Sequence, residues 1–143
     1  MQEGTAVPRI RILLADDHKE IRDRVVGVLQ KDFDVLDAVA DGQSLLDAVS
    51  NLHPDLCLLD ISLPVVNGLE AAHQLKKNGS CVKIVFLTVH EDRDFVRAAF
   101  DAGAAGYVLK RRIGSDLTIA IREALAGRTF DSTTTGIGRP NGR

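Results

Sequence analysis

The chain has 143 residues, of which 45% are hydrophobic and 27% charged, so it carries enough apolar side chains for one packed domain. The formal net charge of -2 and the pI near 6.1 exclude a general electrostatic attraction to nucleic acid or to acidic membranes. Apolar runs stay below the roughly 18 residues that a membrane span needs, and the first residues lack a secretory signal, which predicts a cytoplasmic protein.

Five short runs rich in Val, Ile and Leu alternate with longer stretches of helical spacing. The strands predicted from these runs are 9–15, 33–40, 55–60, 82–88 and 106–110. The helices predicted after them are about 19–31, from the turn at 41–42 to about 51, 69–77, 91–102 and 115–126. Because each crossover between parallel strands is right-handed and buries one helix face, the order predicts an α/β fold with a doubly wound sheet of five parallel strands.

A single domain is predicted over 9–127, preceded by a short N-terminal extension at 1–8. Residues 128–143 (RTFDSTTTGIGRPNGR) show little apolar periodicity, which predicts a linker or a disordered tail. The cysteines, Cys57 and Cys81, fall in apolar strand runs and are interpreted as small buried side chains. Neighbouring parallel strands would offset them by roughly 13 Å, which is too far for a disulfide.

In a doubly wound sheet, binding sites lie beyond the carboxyl ends of the strands. The polar side chains at those ends are Asp16, Asp17, Asp60, Thr88 and Lys110. Three carboxylates placed together repel one another, so a cation should lie among them, and Mg²⁺ suits carboxylates combined with water and a phosphate oxygen. A carboxylate can attack phosphorus to give an acyl phosphate, while a metal ion and an ammonium group neutralise the transferred oxygens. The pattern therefore predicts a phosphoryl-accepting site.

Four segments resemble the receiver domain of two-component response regulators, the CheY-like family, within about 9–127. They are LLADDH at 13–18, PDLCLLDISLPVVNGLE at 54–70, VFLTVH at 85–90 and GAAGYVLK at 103–110. The resemblance implies a flavodoxin-like (βα)5 fold with strand order 2-1-3-4-5. It also implies a signalling domain that assists its own phosphorylation and dephosphorylation and is not otherwise an enzyme.

By the same resemblance, Asp60 is the phosphorylated residue. Asp16 and Asp17 hold Mg²⁺ together with Asp60 and the backbone carbonyl of Ser62. The expected phosphoryl donor is the phosphohistidine of a sensor histidine kinase, or a small molecule such as acetyl phosphate. Mg²⁺ is the cofactor that this set of residues implies.

Thr88, Tyr107 and Lys110 match the switch hydroxyl, switch aromatic ring and phosphate-binding lysine of that family. Phosphorylation is expected to draw Thr88 and Lys110 inward and to change a homodimer surface, on the fourth helix, fifth strand and fifth helix or on the first and fifth helices. The run GAAGYVLK followed by IREALAGRTF is similar to the NarL/FixJ subfamily, whose regulators carry a LuxR-type helix-turn-helix. That effector is absent here, so the chain is interpreted as a receiver fragment of a longer transcription regulator, with a stand-alone receiver as the alternative. DNA binding and transcription regulation are expected only through a part that this chain lacks.

Some positions near the site depart from the family pattern. Val89 stands after the switch hydroxyl, where a small residue is usual, and it is expected to narrow access to the phosphate, while His90 could tune dephosphorylation. Arg111 follows Lys110 in place of proline, so a cis peptide bond there would cost about 3 kcal/mol. His18 and His90 flank the site and are interpreted as solvent-facing loop residues, because an oxygen-ligated Mg²⁺ site does not need imidazole.

Three other classes of protein are weighed against this interpretation. A flavodoxin-like cofactor binder would share the fold, but Asp16 and Asp17 would repel the phosphate of its cofactor. A phosphatase of the haloacid dehalogenase kind also uses an aspartate nucleophile with Mg²⁺, but its first strand ends in Asp-x-Asp. A receiver-like interaction module that is never phosphorylated is disfavoured only because Asp16, Asp17, Asp60, Thr88 and Lys110 are all present.

Overall fold

The computed structural model describes residues 9–134, and within them the chain forms six strands, five α-helices and two 3-10 turns. The strands are β1 (Arg11–Ala15), β2 (Asp34–Val39), β3 (Leu56–Leu59), β4 (Lys83–Thr88), β5 (Gly106–Leu109) and β6 (Phe130–Asp131). The helices are α1 (Lys19–Leu29), α2 (Gly42–Leu52), α3 (Gly68–Lys77), α4 (Arg93–Asp101) and α5 (Ile113–Leu125). The 3-10 turns span Lys110–Arg112 and Ser132–Thr134.

The strands form one parallel sheet in the order β2-β1-β3-β4-β5-β6. The α/β class, the parallel pairing and the order of the first five strands are confirmed, but the prediction of a five-stranded sheet is wrong. The sixth strand lies in the segment predicted to be a linker or disordered tail, so that expectation is corrected for residues 130–134. A strand of two residues is too short to show alternation. Its pairing depends on long-range contacts, including a hydrogen bond from the Phe130 amide to the Ala105 carbonyl at 3.1 Å.

Two hydrophobic clusters cover the two faces of the sheet. Side chains alternate along β3, so that Cys57 and Leu59 join the cluster under α2, α3 and α4, while Leu56 and Leu58 join the cluster under α1 and α5. All four are fully buried, as expected of a central parallel strand. Polar side chains are thereby left to the ends of the strands, where the candidate site lies.

The two cysteines occupy different environments. Cys57 is buried, and burial raises the pKa of its thiol to about 12, which keeps it protonated and unreactive. Cys81 is exposed and precedes β4, so the expectation that both cysteines are buried in strands is wrong for Cys81. Both thiols are free.

Residues 1–8, predicted as an N-terminal extension, and residues 135–143 of the predicted tail lie outside the described residues. Over the described range, the helices are too short or too polar to cross a bilayer. The Lys110-Arg111 peptide bond is trans, since residues 9–134 contain no cis peptide.

Candidate functional site

The carboxyl ends of β1 and β3 lie side by side and place two aspartates next to each other. Ala15 and Leu59 are partners in the register, and Asp16 and Asp60 are the residues that follow them. The Asp60 amide donates to the Ala15 carbonyl at 3.0 Å, which extends the ladder by one step. Both aspartates are buried. The topology therefore brings these two residues together.

Lys110 reaches both aspartates from the end of β5. Its Nζ donates to Oδ2 of Asp60 at 2.8 Å and lies 2.8 Å from Oδ2 of Asp16. Burial alone would lower the pKa of Lys110, but its close contacts with Asp16 and Asp60 and the charges of these carboxylates outweigh burial, so the pKa lies above its ordinary value. The lysine is therefore held as an ammonium ion between two buried carboxylates.

Asp16 is completely buried, and its two oxygens have different surroundings. Oδ1 accepts a hydrogen bond from the His18 amide at 2.9 Å. Oδ2 faces Lys110 at ion-pair distance but, among the described residues, receives no hydrogen bond of good geometry. A buried carboxylate oxygen without a directed donor is unfavourable, and it is a natural ligand for a hard cation.

Asp17, His18 and Asp60 place further ligand atoms near Asp16. One ligand atom from each, together with one from Asp16, lies within 4.8 Å of all the others. Asp17 and His18 are exposed while the other two are buried, so the group opens toward solvent on one side. His18 occupies the predicted exposed loop position, but its Nδ1 lies 3.1 Å from Oδ1 of Asp17 and thus contacts the carboxylates. Three carboxylates, one of them with an unsatisfied buried oxygen, fit a divalent cation that prefers oxygen ligands.

The loop after β3 folds tightly against Asp60. The Ser62 amide donates to Oδ1 of Asp60 at 3.2 Å, and the Gly68 amide donates to the Ile61 carbonyl at 2.8 Å. A Cβ atom on residue 68 would lie 2.1 Å from the Asp60 carbonyl oxygen, far inside contact distance. Glycine is therefore required at this position so that α3 can begin beside the aspartate. The predicted helix over 69–77 begins one residue after this glycine, and α3 begins at Gly68 itself.

A chain of hydrogen bonds joins the end of β4 to Tyr107 on β5. The His90 amide donates to Oγ1 of the buried Thr88 at 3.2 Å, and the Tyr107 hydroxyl donates to the His90 carbonyl at 2.8 Å. The Tyr107 ring is fully buried; burial, and then the negative charge of Asp131, raises the pKa of its hydroxyl. The hydroxyl therefore remains protonated and donates to the loop after β4.

The His90 ring connects the loops after β3 and β4. It stacks on Phe95 with a centroid separation of 4.1 Å, and its Nε2 lies 3.1 Å from Oγ of Ser62. Val89, the preceding residue, is 66% exposed, so its side chain lies mostly in solvent. His90 therefore contacts the site more closely than Val89 does.

Arg111 ties the turn after β5 to the loop after β4. Its Nε and Nη2 donate to the two carboxylate oxygens of Glu91 at 3.0 and 3.1 Å. The hydrogen bonds from Arg111 lower the pKa of the Glu91 carboxyl group. Glu91 could not be predicted from the sequence, because a pair between two loops twenty residues apart has no local periodicity.

The structure places the predicted site residues at different distances from Lys110. Asp16 and Asp60 are both in direct contact with Lys110. Asp17 lies at the rim with a side chain that is 37% exposed. Thr88 is buried at the end of β4, next to the strand whose end carries the lysine.

Comparison with known proteins gives a consistent result. A family model described as "Response regulator receiver domain" matches residues 12–122. The chain is 32% identical over 132 residues to the transcriptional regulatory protein DegU of Brevibacillus brevis and 36% identical over 117 residues to the response regulator protein VraR of Staphylococcus saprophyticus. These alignments cover 91% and 80% of this chain but 56% of each relative, so the chain spans little more than half their length.

A solved structure of a LuxR-family two-component response regulator from Aurantimonas has the same fold. It superposes with a TM-score of 0.82 at 31% identity, over 87% of this chain and 90% of that one.

Proposed function

We propose that this chain, which belongs to the response regulator receiver domain family, accepts a phosphoryl group on Asp60 with Mg²⁺ and changes conformation in response. The observation that carries the proposal is the contact of Lys110 with both Asp60 and Asp16, 2.8 Å from an oxygen of each. A lysine with only a structural role would not require two buried carboxylates beside its ammonium group. One of these carboxylates also has an oxygen that lacks a directed hydrogen bond.

Asp60 has the surroundings that a phosphoryl acceptor needs. One of its carboxylate oxygens forms a bond to phosphorus while the bond between phosphorus and the donor breaks, and the donor leaves with that electron pair. Lys110 and the Ser62 amide fix the rotation of the carboxylate before the reaction through one hydrogen bond to each oxygen. The ammonium group of Lys110 then neutralises the transferred oxygens in a site with little water.

Asp16, Asp17 and Asp60, together with the backbone carbonyl of Ser62, would hold Mg²⁺. The ion supplies charge neutralisation at the transferred phosphoryl group. The buried Oδ2 of Asp16 supports this assignment, because among the described residues it has the ion pair with Lys110 but no directed hydrogen bond, which leaves room for a second cation.

The conformational response begins at Thr88 and Lys110, whose hydroxyl and ammonium groups donate to the phosphoryl oxygens. Any movement of Thr88 is passed to the His90 amide that is bonded to it, and from the His90 carbonyl to Tyr107. The rings of His90 and Phe95 move with this loop because they are stacked. Shifts of this kind change the population of two packed arrangements.

His90 and Val89 set how long the phosphoryl group persists. His90 spans the two loops that border Asp60 and can order water there through Nε2. Val89 exposes an apolar side chain beside the switch hydroxyl. Both residues act on the rate of hydrolysis rather than on the identity of the acceptor.

The output of the switch is transcription regulation by a larger cytoplasmic protein. The relatives are a transcriptional regulatory protein and a response regulator protein, and this chain spans only part of each. A sensor histidine kinase is the phosphoryl donor, and phosphorylation promotes a homodimer. DNA is contacted by a C-terminal helix-turn-helix effector of that larger protein.

Incubation with acetyl phosphate and Mg²⁺, followed by intact-mass measurement, tests the proposal. We expect a mass gain of one phosphoryl group that requires Mg²⁺ and is absent in Asp60→Asn. Asp55→Asn is the matched control, because Asp55 accepts a backbone hydrogen bond from Arg11 beyond the opposite end of β3. A gain that persists in Asp60→Asn would refute Asp60 as the acceptor, and no gain under saturating donor would refute the proposal and favour an unphosphorylated interaction module.

A further inference from the structure

Three consecutive basic residues after β5 make contacts in three directions. Lys110 enters the site described above, Arg111 pairs with the loop after β4, and Arg112 pairs with Asp116 on α5. The Arg112 contact is bidentate, with Nε and Nη2 2.7 and 3.2 Å from the two carboxylate oxygens. Because the three residues form one 3-10 turn, a shift of Lys110 toward a phosphoryl group also displaces Arg112.

Asp116 is a buried carboxylate that the phosphoacceptor chemistry does not use. Its oxygens accept hydrogen bonds from Arg112, from Oγ of Ser115 at 2.9 Å and from Oγ of Ser132 at 2.7 Å. Burial would raise the pKa of Asp116, but these hydrogen bonds outweigh it and hold the pKa below its ordinary value. Ser132 is itself buried, in the turn that follows β6. One ionised carboxylate thus links the turn after β5 to residues 130–134.

Residues 130–134 lie against the edge of β5. Gly106 and Tyr107 pair with Phe130 and Asp131, and the Phe130 side chain packs against the second hydrophobic cluster. Asp131 closes the local turn by accepting hydrogen bonds from Thr133 at its amide (2.9 Å) and its hydroxyl (2.7 Å). The attachment is small, since the strand has two residues, and such short segments open at low free energy.

The second group that the switch moves also touches this segment. Tyr107, whose hydroxyl is bonded to the loop after β4, is the direct partner of Asp131 in the sheet. The negative charge of Asp131 also contributes to the raised pKa of the Tyr107 hydroxyl. The segment therefore contacts β5, which carries Tyr107, and is linked through Asp116 to the 3-10 turn that begins with Lys110.

We propose that the edge of β5, together with Asp116, is a docking site for residues 130–134 of this same chain, and that phosphorylation of Asp60 releases them. The inference rests on the proposed function and extends it to the chain that leads out of the domain. Release does not leave the Asp116 carboxylate without hydrogen-bond donors, because Arg112 and Ser115 remain beside it. Undocking then exposes the edge of β5 between α4 and α5.

Amide hydrogen exchange of the peptide covering 130–134 tests this inference in the 143-residue chain. Exchange is compared without ligand, with Mg²⁺ alone, and with Mg²⁺ and beryllofluoride as the phosphoryl mimic. We expect beryllofluoride to speed exchange in 130–134 on the order of tenfold, as release of a weakly held segment requires. Ser132→Ala should show fast exchange without the mimic. Ser115→Ala is the matched control, because it removes a hydroxyl bonded to the same carboxylate from within α5 and should behave as the parent chain.

The two proposals fail in distinguishable ways. If acetyl phosphate labels Asp60 but the exchange of 130–134 stays unchanged or slows with beryllofluoride, release is refuted and the proposed function stands. Equal behaviour of Ser132→Ala and Ser115→Ala would likewise refute the docking role of Ser132. If acetyl phosphate labels no residue, the proposed function is refuted, and the proposed release of residues 130–134 on phosphorylation is refuted as well.

Discussion

Replacement of Lys110 by methionine tests the electrostatics of the site most severely. Methionine keeps most of the side-chain volume but removes the ammonium group that lies 2.8 Å from an oxygen of Asp16 and of Asp60. Two buried carboxylates would then face each other without a cation. We expect the variant to be destabilised without Mg²⁺ and to recover when Mg²⁺ is added.

The magnitude follows from the two contacts. At 2.8 Å and an effective dielectric constant of about 20, each contact corresponds to about 6 kcal/mol of attraction. The free-energy cost of taking the ammonium group out of water offsets much of this attraction. Loss of one partner from a buried ion pair typically costs about 3–5 kcal/mol. We therefore expect Lys110→Met to lower the free energy of unfolding by about 3 kcal/mol in the absence of Mg²⁺.

Urea unfolding with and without Mg²⁺ measures both effects. Mg²⁺ should raise the free energy of unfolding more in Lys110→Met than in the parent chain, because the ion becomes the only cation among the carboxylates. Lys19→Met is the matched control: Lys19 lies 2.7 Å from Asp23 in an exposed pair, so its loss should change stability little. If Lys110→Met is as stable as Lys19→Met and gains nothing extra from Mg²⁺, the described charge balance is refuted.

Three further predictions concern the packing around the site. Gly68→Ala should lower stability by about 1–3 kcal/mol and slow labelling of Asp60, because its Cβ would meet a backbone oxygen. Gly27→Ala on α1, where a Cβ has open space, should instead raise stability by about 0.5–1 kcal/mol. Urea unfolding of the two variants compares these effects. The pKa of Asp116 is lowered on folding, so its contribution to stability is present above its ordinary pKa of 3.8 and is lost as the pH falls through the lower folded-state pKa. Asp116→Asn should therefore lose less free energy of unfolding than the parent chain when the pH falls below about 4. An unchanged pH dependence of stability in this range would contradict the prediction. Tyr107→Phe removes a hydroxyl bonded to a backbone carbonyl, so it should lower the free energy of unfolding by about 1 kcal/mol, as measured by thermal unfolding. An unchanged stability would show that this hydrogen bond contributes nothing.

The repeating part of the fold was predictable from the sequence because its signals are local. Apolar runs with helical or strand periodicity locate β1 to β5 and α1 to α5, each within two residues of its observed ends. The strand ends then identify the polar residues that share one edge of the sheet, including Asp60 and Lys110. The sixth strand was missed because two residues carry no periodicity, and its neighbours Thr129 and Ser132 are typical of loops.

The contacts that complete the site depend on long-range packing. Glu91 meets Arg111, and Ser132 meets Asp116, only after the strands are placed side by side. The need for glycine at position 68 arises from the approach of a helix start to a strand end, which no local pattern encodes. These positions are therefore visible in the structure and not in the sequence.

Chemical trapping of the modified residue tests directly whether Asp60 carries the phosphoryl group. Borohydride reduces an acyl phosphate to an alcohol, so phosphorylation followed by reduction converts the modified aspartate to homoserine, which peptide fragmentation locates. We predict homoserine at position 60 after treatment with acetyl phosphate and Mg²⁺, and unmodified Asp16 and Asp17. Homoserine at position 16 or 17, or no homoserine after full treatment, would contradict the account.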